Sequence, residues 1–283
     1  MNTLVEGATR RDGRGNAETA SRVASPLSSS LRATLGWAHQ MSLVFALLAL
    51  WEVATRAGWV SSVTFPAPSL LARVIFDQLA SGSLTADIWA SLSRVLAGVL
   101  IASVLGIALG VVTASWERVA YFVSPLVELI RPISVIAWIP MAIIWFGLGD
   151  RAAWFLIALG AFFPIYTNTF SGVKLLPRVY LQAARTLGLN RLLLFTQVLL
   201  PGALPSVLSG VRIGLGVGWM CVIAAEMISA TSGLGYLIQT ARILIETERV
   251  FAGMAVIGVI GFAMNWLMQL LGRWLTPWLE RGH

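Results

Sequence analysis

Of 283 residues, 57% are hydrophobic and only 12% charged, about half the charge of a water-soluble domain, so the chain is not one. Its net charge of +7 comes from basic residues that punctuate apolar runs; they form no nucleic-acid-binding face and read as bilayer topology signals. One cysteine, Cys221, and two histidines, His39 and His283, exclude an internal disulfide and leave no metal site or catalytic triad in view.

Residues 1–35 are rich in Ser, Gly, Ala and Arg and lack hydrophobic periodicity, which predicts a flexible tail. Residues 36–283 form the membrane domain. Six stretches in it reach the roughly 20 apolar residues that cross a bilayer: about 37–55, 88–114, 130–148, 152–171, 204–229 and 251–273. The prediction is an all-α polytopic fold with six transmembrane helices. Pro132 and Pro140 predict a broken or kinked third span, because each removes a backbone donor. Small residues recur at four-residue spacing, as Gly106 and Gly110 in the second span and Gly210, Gly214 and Gly218 in the fifth. Such stripes let helix backbones approach closely, within one chain or between two.

Placing the N-terminus inside puts fourteen of the twenty Lys and Arg residues in inner segments and six in outer ones. The bias favours both termini on the cytoplasmic side. Trp37, Trp59, Trp116, Trp274 and Trp278 near predicted span ends fit interfacial belts against membrane lipid.

The longest inner loop, 172–203, is not a plain connector. Leu176, Val179, Tyr180, Ala183, Ala184 and Leu187 repeat at helical spacing, Gly188 interrupts, and 191–199 form a second apolar run before Leu200-Pro201. Helix, glycine and helix make a compact knob suited to a groove on a cytoplasmic partner.

No catalytic apparatus is visible. The only lysine, Lys174, stands in "SGVKLLP", so there is no phosphate-binding loop and this chain cannot itself be a P-loop ATPase; no G-x-S-x-G or H-E-x-x-H run occurs either. Catalytic, metal and cofactor residues are therefore expected to be none.

The series Gln182-Ala183-Ala184, three residues, Gly188, nine residues, Val198, one residue, Leu200-Pro201 resembles the EAA loop of ABC-importer permease subunits. "FPAPSLL", "RPISVIAWIPMAIIWFGLGD" and "GVRIGLGVGWMCVIAAEMISATSGLGYLI" extend the resemblance to the nitrate/sulfonate/taurine branch. One departure is Gln182 where the family usually has Glu, which keeps a hydrogen-bonding group and removes a charge. The resemblance implies a type I importer fold in a bacterial inner membrane. It also implies a homodimer, two cytoplasmic ATPases that hold ATP and Mg, and an extracytoplasmic solute-binding protein. The solute would be a small anion such as an aliphatic sulfonate, taurine or nitrate. Residues expected to couple to the ATPase are Gln182, Ala183, Ala184, Arg185, Thr186, Leu187, Gly188, Arg191 and Pro201. For Arg185 and Arg191, inner-surface charge fits equally well.

Pathway or gate candidates are Glu226, Trp219, Arg212 and Trp145. Glu226 fits the pore or a structural hydrogen bond to a neighbouring helix. Arg212 fits a gate or a side chain snorkelling from the inner end of its span. The rival to the whole reading is a gradient-driven transporter or channel, which needs ionisable residues at the midplane and an internal repeat.

Overall fold

A computed structural model describes residues 27–61 and 63–277. Residues 1–62 and 63–283 are two units. The first contains α1, Leu27–Arg56, a 30-residue helix that includes the expected first span and closes with an Arg56–Glu52 ion pair at 2.6 Å. It starts directly after Pro26, so its first turns occupy part of the stretch expected as tail; Pro and Gly are absent from 27–35 and nothing there stops a helix from propagating. The remainder of that tail, 1–26, lies outside the described residues.

The second unit is built from α2 (Pro68–Ala80), α3 (Ser83–Ser115), α4 (Glu117–Ile130) and α5 (Ile139–Phe146), then α6 (Asp150–Lys174), α7 (Arg178–Thr186) and α8 (Arg191–Leu194), and finally α9 (Leu200–Ser229), α10 (Leu234–Ile243) and α11 (Thr247–Leu275). Among the described residues, four helical runs are long and apolar enough to cross a membrane: Ser83–Ser115, Asp150–Lys174, Gln197–Ser229 and Thr247–Leu275. A fifth exists if the bent pair Glu117–Ile130 and Val135–Phe146 is counted as one span.

That pair corrects the expectation of a span over 130–148. The two halves meet at 90°. The break falls on Arg131–Ser134, where Pro132 cannot donate a backbone hydrogen bond. A 3-10 turn, Val135–Trp138, follows. Pro140 does not break anything; it sits in the first turn of α5, where its missing N–H is harmless.

Helix α6 is the centre of the bundle, packed between α3 and α9. The glycine stripes make this possible. A Cβ at Gly110 would stand 2.8 Å from Thr169 Cβ, one at Gly98 2.6 Å from Ile157 Cβ, and one at Gly214 3.1 Å from the Ala161 carbonyl oxygen. Both stripes therefore face α6 within the same chain. The core along this seam is apolar: Val95, Val99, Ala102, Ile157, Ala161, Ile165, Leu215 and Val222 are all buried.

Gly216, by contrast, has nothing within 4 Å of where its Cβ would lie. Gly98→Ala should lower the thermal unfolding midpoint in detergent, by a clash with the β-branched Ile157 costing about 1–3 kcal/mol, whereas Gly216→Ala should leave it unchanged or slightly raised. Equal midpoints for the two variants would refute the close approach of α3 to α6.

Candidate functional sites at the two ends of the bundle

At one end of α6 the chain leaves the bundle through Lys174 into the expected knob. Helix α7 spans Arg178–Thr186. It ends because Gly188 adopts φ +74°, a left-handed conformation that costs other residues about 1–2 kcal/mol. The Leu189 N–H then donates to the Ala184 carbonyl at 3.1 Å, as expected when a glycine follows a helix end. Asn190 starts the next helix: its Oδ1 accepts from the Leu193 N–H at 2.8 Å, a side-chain cap the sequence reading did not identify.

The second apolar run is shorter than expected. Only Arg191–Leu194 is α-helical, and Phe195–Leu199 is a π-helical turn leading directly into α9. Pro201 gives the reason, since it cannot donate to the Gln197 carbonyl and its ring crowds that oxygen. Pro201 itself occupies the first turn of α9.

The knob displays Gln182, Ala183, Thr186, Leu187 and Gly188. Ala184 is 5% exposed and Leu187 78% exposed. The two alanines thus have different surroundings: Ala184 packs inward and Ala183 faces out. Val179 and Tyr180 add exposed apolar surface. The backbones of Arg185 and Arg191 lie in α7 and α8.

At the opposite end of α6, a full helix length away, lies a polar cluster. Arg94 in α3 donates its Nε–H to Asp150 Oδ1 at 2.7 Å and an Nη1–H to Glu226 Oε1 at 2.7 Å. It also reaches the Ser232 carbonyl at 2.7 Å and Ser232 Oγ at 2.9 Å. Ser91 Oγ lies 2.8 Å from both oxygens of Glu226. The buried N–H groups at the start of α10, which have no acceptor within the helix, complete it: Gly233 donates to Asp87 Oδ1, Leu234 to Ser91 Oγ and Gly235 to Glu226 Oε2.

Carboxylates thus cap a helix N-terminus, where both the free N–H groups and the dipole favour them. Gly233 has φ +111°, and any Cβ there would fall 2.4 Å from Glu226 Cδ. Three helices and a loop are tied together by one guanidinium.

The pathway candidates are dispersed. Glu226 is 1% exposed with both oxygens occupied, which matches a hydrogen bond to neighbouring helices. Trp219 is 8% exposed and donates Nε1–H to the Ile257 carbonyl at 3.2 Å. Trp145 is half exposed in an aromatic group with Trp138, Phe146 and Phe155. Arg212 is exposed and donates Nε–H to Asn265 Oδ1 at 2.8 Å. The sequence reading did not identify Ser91 and Arg94 as partners of Glu226, or Asp150 as the second acid on Arg94. The available signal was that Arg94 and Glu226 are opposite charges inside two predicted spans, each near the same outer end.

The chain resembles known proteins along most of its length. The model of the family described as binding-protein-dependent transport system inner membrane component matches residues 102–281. The taurine transport system permease protein TauC of Escherichia coli (strain K12) is 37% identical over 89% of this chain and 92% of its own. A putative aliphatic sulfonates transport permease protein, SsuC of Bacillus subtilis (strain 168), is 33% identical over 87% and 90%. Among solved structures, an inward-facing MetNI methionine ABC transporter superposes with a TM-score of 0.60 at 20% identity, covering 75% of this chain and 98% of that one. It shares the fold.

Removing Arg94 would leave the Glu226 carboxylate buried without its counter-charge, a defect of about 3–5 kcal/mol. Arg94→Met should therefore sharply lower the unfolding midpoint in detergent, and Arg94→Met with Glu226→Met should recover part of the loss. Additive losses in the double variant would show that the two side chains are not coupled.

Proposed function

Because this chain belongs to the binding-protein-dependent transport system inner membrane components, we propose that it imports a small sulfonate-type anion. It is a multi-pass membrane protein and the permease subunit of an ATP-binding cassette importer. The observation that carries this reading is the family match over residues 102–281, which includes the whole α7–Gly188–α8 knob. The names of its relatives support the solute class: taurine for TauC and aliphatic sulfonates for SsuC.

In this reading the chain pairs with a second copy, and both termini and the knob lie in the cytoplasm. Arginine bias and the direction of α6 support that orientation, since the polar cluster and the knob must then lie on opposite sides. Each knob fits a groove on one of two ATPase subunits, where ATP and Mg are bound and hydrolysis occurs. A binding protein outside delivers the solute. Gln182, Ala183, Thr186 and Leu187 form the displayed surface of the knob, Ala184 holds α7 in place, and Gly188 sets the angle between α7 and α8. Arg185 and Arg191 add positive charge on the same element, and Pro201 starts the span that must move. When the ATPases close on ATP, the knobs approach one another and α6 and α9 carry the movement into the bundle.

A gradient-driven carrier would need a titratable group open to water near the midplane. Glu226, the acid of α9, lies three residues from the end of that helix and is enclosed by Ser91, Arg94 and Gly235.

The test is reconstitution with the ATPase and binding protein in proteoliposomes. Gly188→Val should reduce ATP-driven taurine or alkanesulfonate uptake at least about tenfold, because a β-branched side chain cannot adopt φ +74° without strain. Gly188→Asn, which tolerates that conformation, should retain most of it. Uptake undiminished in the valine variant, or occurring without any ATPase subunit, would refute the coupling role.

A further inference from the structure

Arg212 lies twelve residues beyond Leu200, the start of α9, about 18 Å along a helix that rises 1.5 Å per residue. It is three turns inside the span and not at its inner end, too deep for its side chain to reach the headgroups by snorkelling. It is exposed. Among the described residues it forms no ion pair, and it bonds to Asn265 of α11, whose Oδ1 accepts from Nε at 2.8 Å. A charge at this depth does not face lipid; it faces protein or water.

The surface around it is of the same kind. Ser209, Arg212, Ile213, Gly216 and Met220 form one exposed stripe of α9 at helical spacing. Met220 borders a cavity of about 220 Å³ that is also lined by Ser134, Val135, Ile139 and Cys221. That cavity lies against the break between α4 and α5, where non-helical backbone at membrane depth requires protein or water beside it. Two independent features, an unpaired cation and an interrupted helix, meet along a single strip.

We propose that this stripe of α9 lines the solute pathway and that Arg212 is the cation an anionic solute meets halfway across. The proposal rests on the importer reading and deepens it. Asn265 holds the guanidinium through Nε and leaves the two Nη groups directed to a ligand. Their fork geometry matches two oxygens of a sulfonate or similar oxyanion better than an ammonium would. Arg212 is thus a specificity-determining residue, and Asn265 its positioning partner.

The experiment is cysteine labelling in membranes containing the assembled transporter, with Cys221→Ala removing the native thiol. Ser209→Cys and Gly216→Cys stand one turn to either side of Arg212, and Gly216 has open space around its Cβ position. Sulfonatoethyl and trimethylammonioethyl methanethiosulfonate, an anionic and a cationic water-soluble reagent, are compared. Both should react at both sites, with the anion favoured by about tenfold, a size expected of one charge in a confined aqueous path. Arg212→Lys should keep that preference and Arg212→Gln should abolish it. Should the glutamine variant fail to assemble, Asn265→Asp supplies the comparison, since a carboxylate beside Arg212 should also reduce the preference. Absence of labelling would mean that lipid or a second copy covers the stripe, and a preference indifferent to Arg212 would remove its role; either outcome overturns the proposal. Labelling requires neither ATP nor a binding protein. Charge-biased labelling without ATP-driven uptake would therefore overturn the importer reading alone, and uptake with unbiased labelling would overturn the role of Arg212 alone.

Discussion

The closeness with which α6 fits between its neighbours governs the rest of the molecule. In lipid there is no hydrophobic gain from bringing one apolar helix against another, so contact must come from packing. Gly98, Gly106 and Gly110 on α3 and Gly210, Gly214 and Gly218 on α9 remove the side chains that would hold the backbones apart. With α6 clasped from both sides, the three helices move as one body. Any force applied at either end of α6 is then transmitted through a close-packed rod, because such interiors deform little.

What occupies those ends follows from the same solvent. At one end the chain is short-helical and polar, with apolar side chains left uncovered at Val179, Tyr180 and Leu187. The other end gathers Asp87, Ser91, Arg94, Asp150 and Glu226 around the start of α10. Each donor there finds an acceptor, as it must where water is scarce. Arg94 bonds to residues of α6, α9 and the loop after it, so this single side chain ties the far end of α6 to both.

Four long apolar helices were legible in the sequence to within about five residues at each end, because an uninterrupted apolar run of that length has one reading in a long chain. The helix–glycine–helix plan of residues 172–203 was legible too, from periodicity and Gly188. Helices α2, α4 and α10 were not. They are short and carry Arg73, Glu117, Glu128 or Arg242 among apolar residues, so a search for long apolar runs passes over them. The bent pair was half legible: Pro132 announced a break, but not that α4 would run back to Glu117 or turn through 90°. The polar cluster around Arg94 could not be assembled from sequence, since Arg94 and Glu226 are 132 positions apart and periodicity does not specify register between distant helices.

The charges inside the spans divide by whether protein has already neutralised them. Arg94 and Glu226 neutralise one another and are closed off, so their strong local fields are spent within the protomer and no passing ion can respond to them. Among the described residues Arg212 has the dipole of an amide as its partner, which orients a guanidinium without cancelling its charge. A helix that otherwise carries small and apolar side chains along its exposed face would gain nothing from such a residue if it touched only lipid. An anion crossing between two copies of this face would find a favourable potential near the midplane, where the dielectric penalty for its own charge is greatest. Attraction there must be moderate to allow release, and a single guanidinium backed by an amide on a path open to water is weaker than the closed arrangement around Arg94. The two arginines differ in this way: one is closed off within the fold by two carboxylates, and the other is exposed and oriented by an amide.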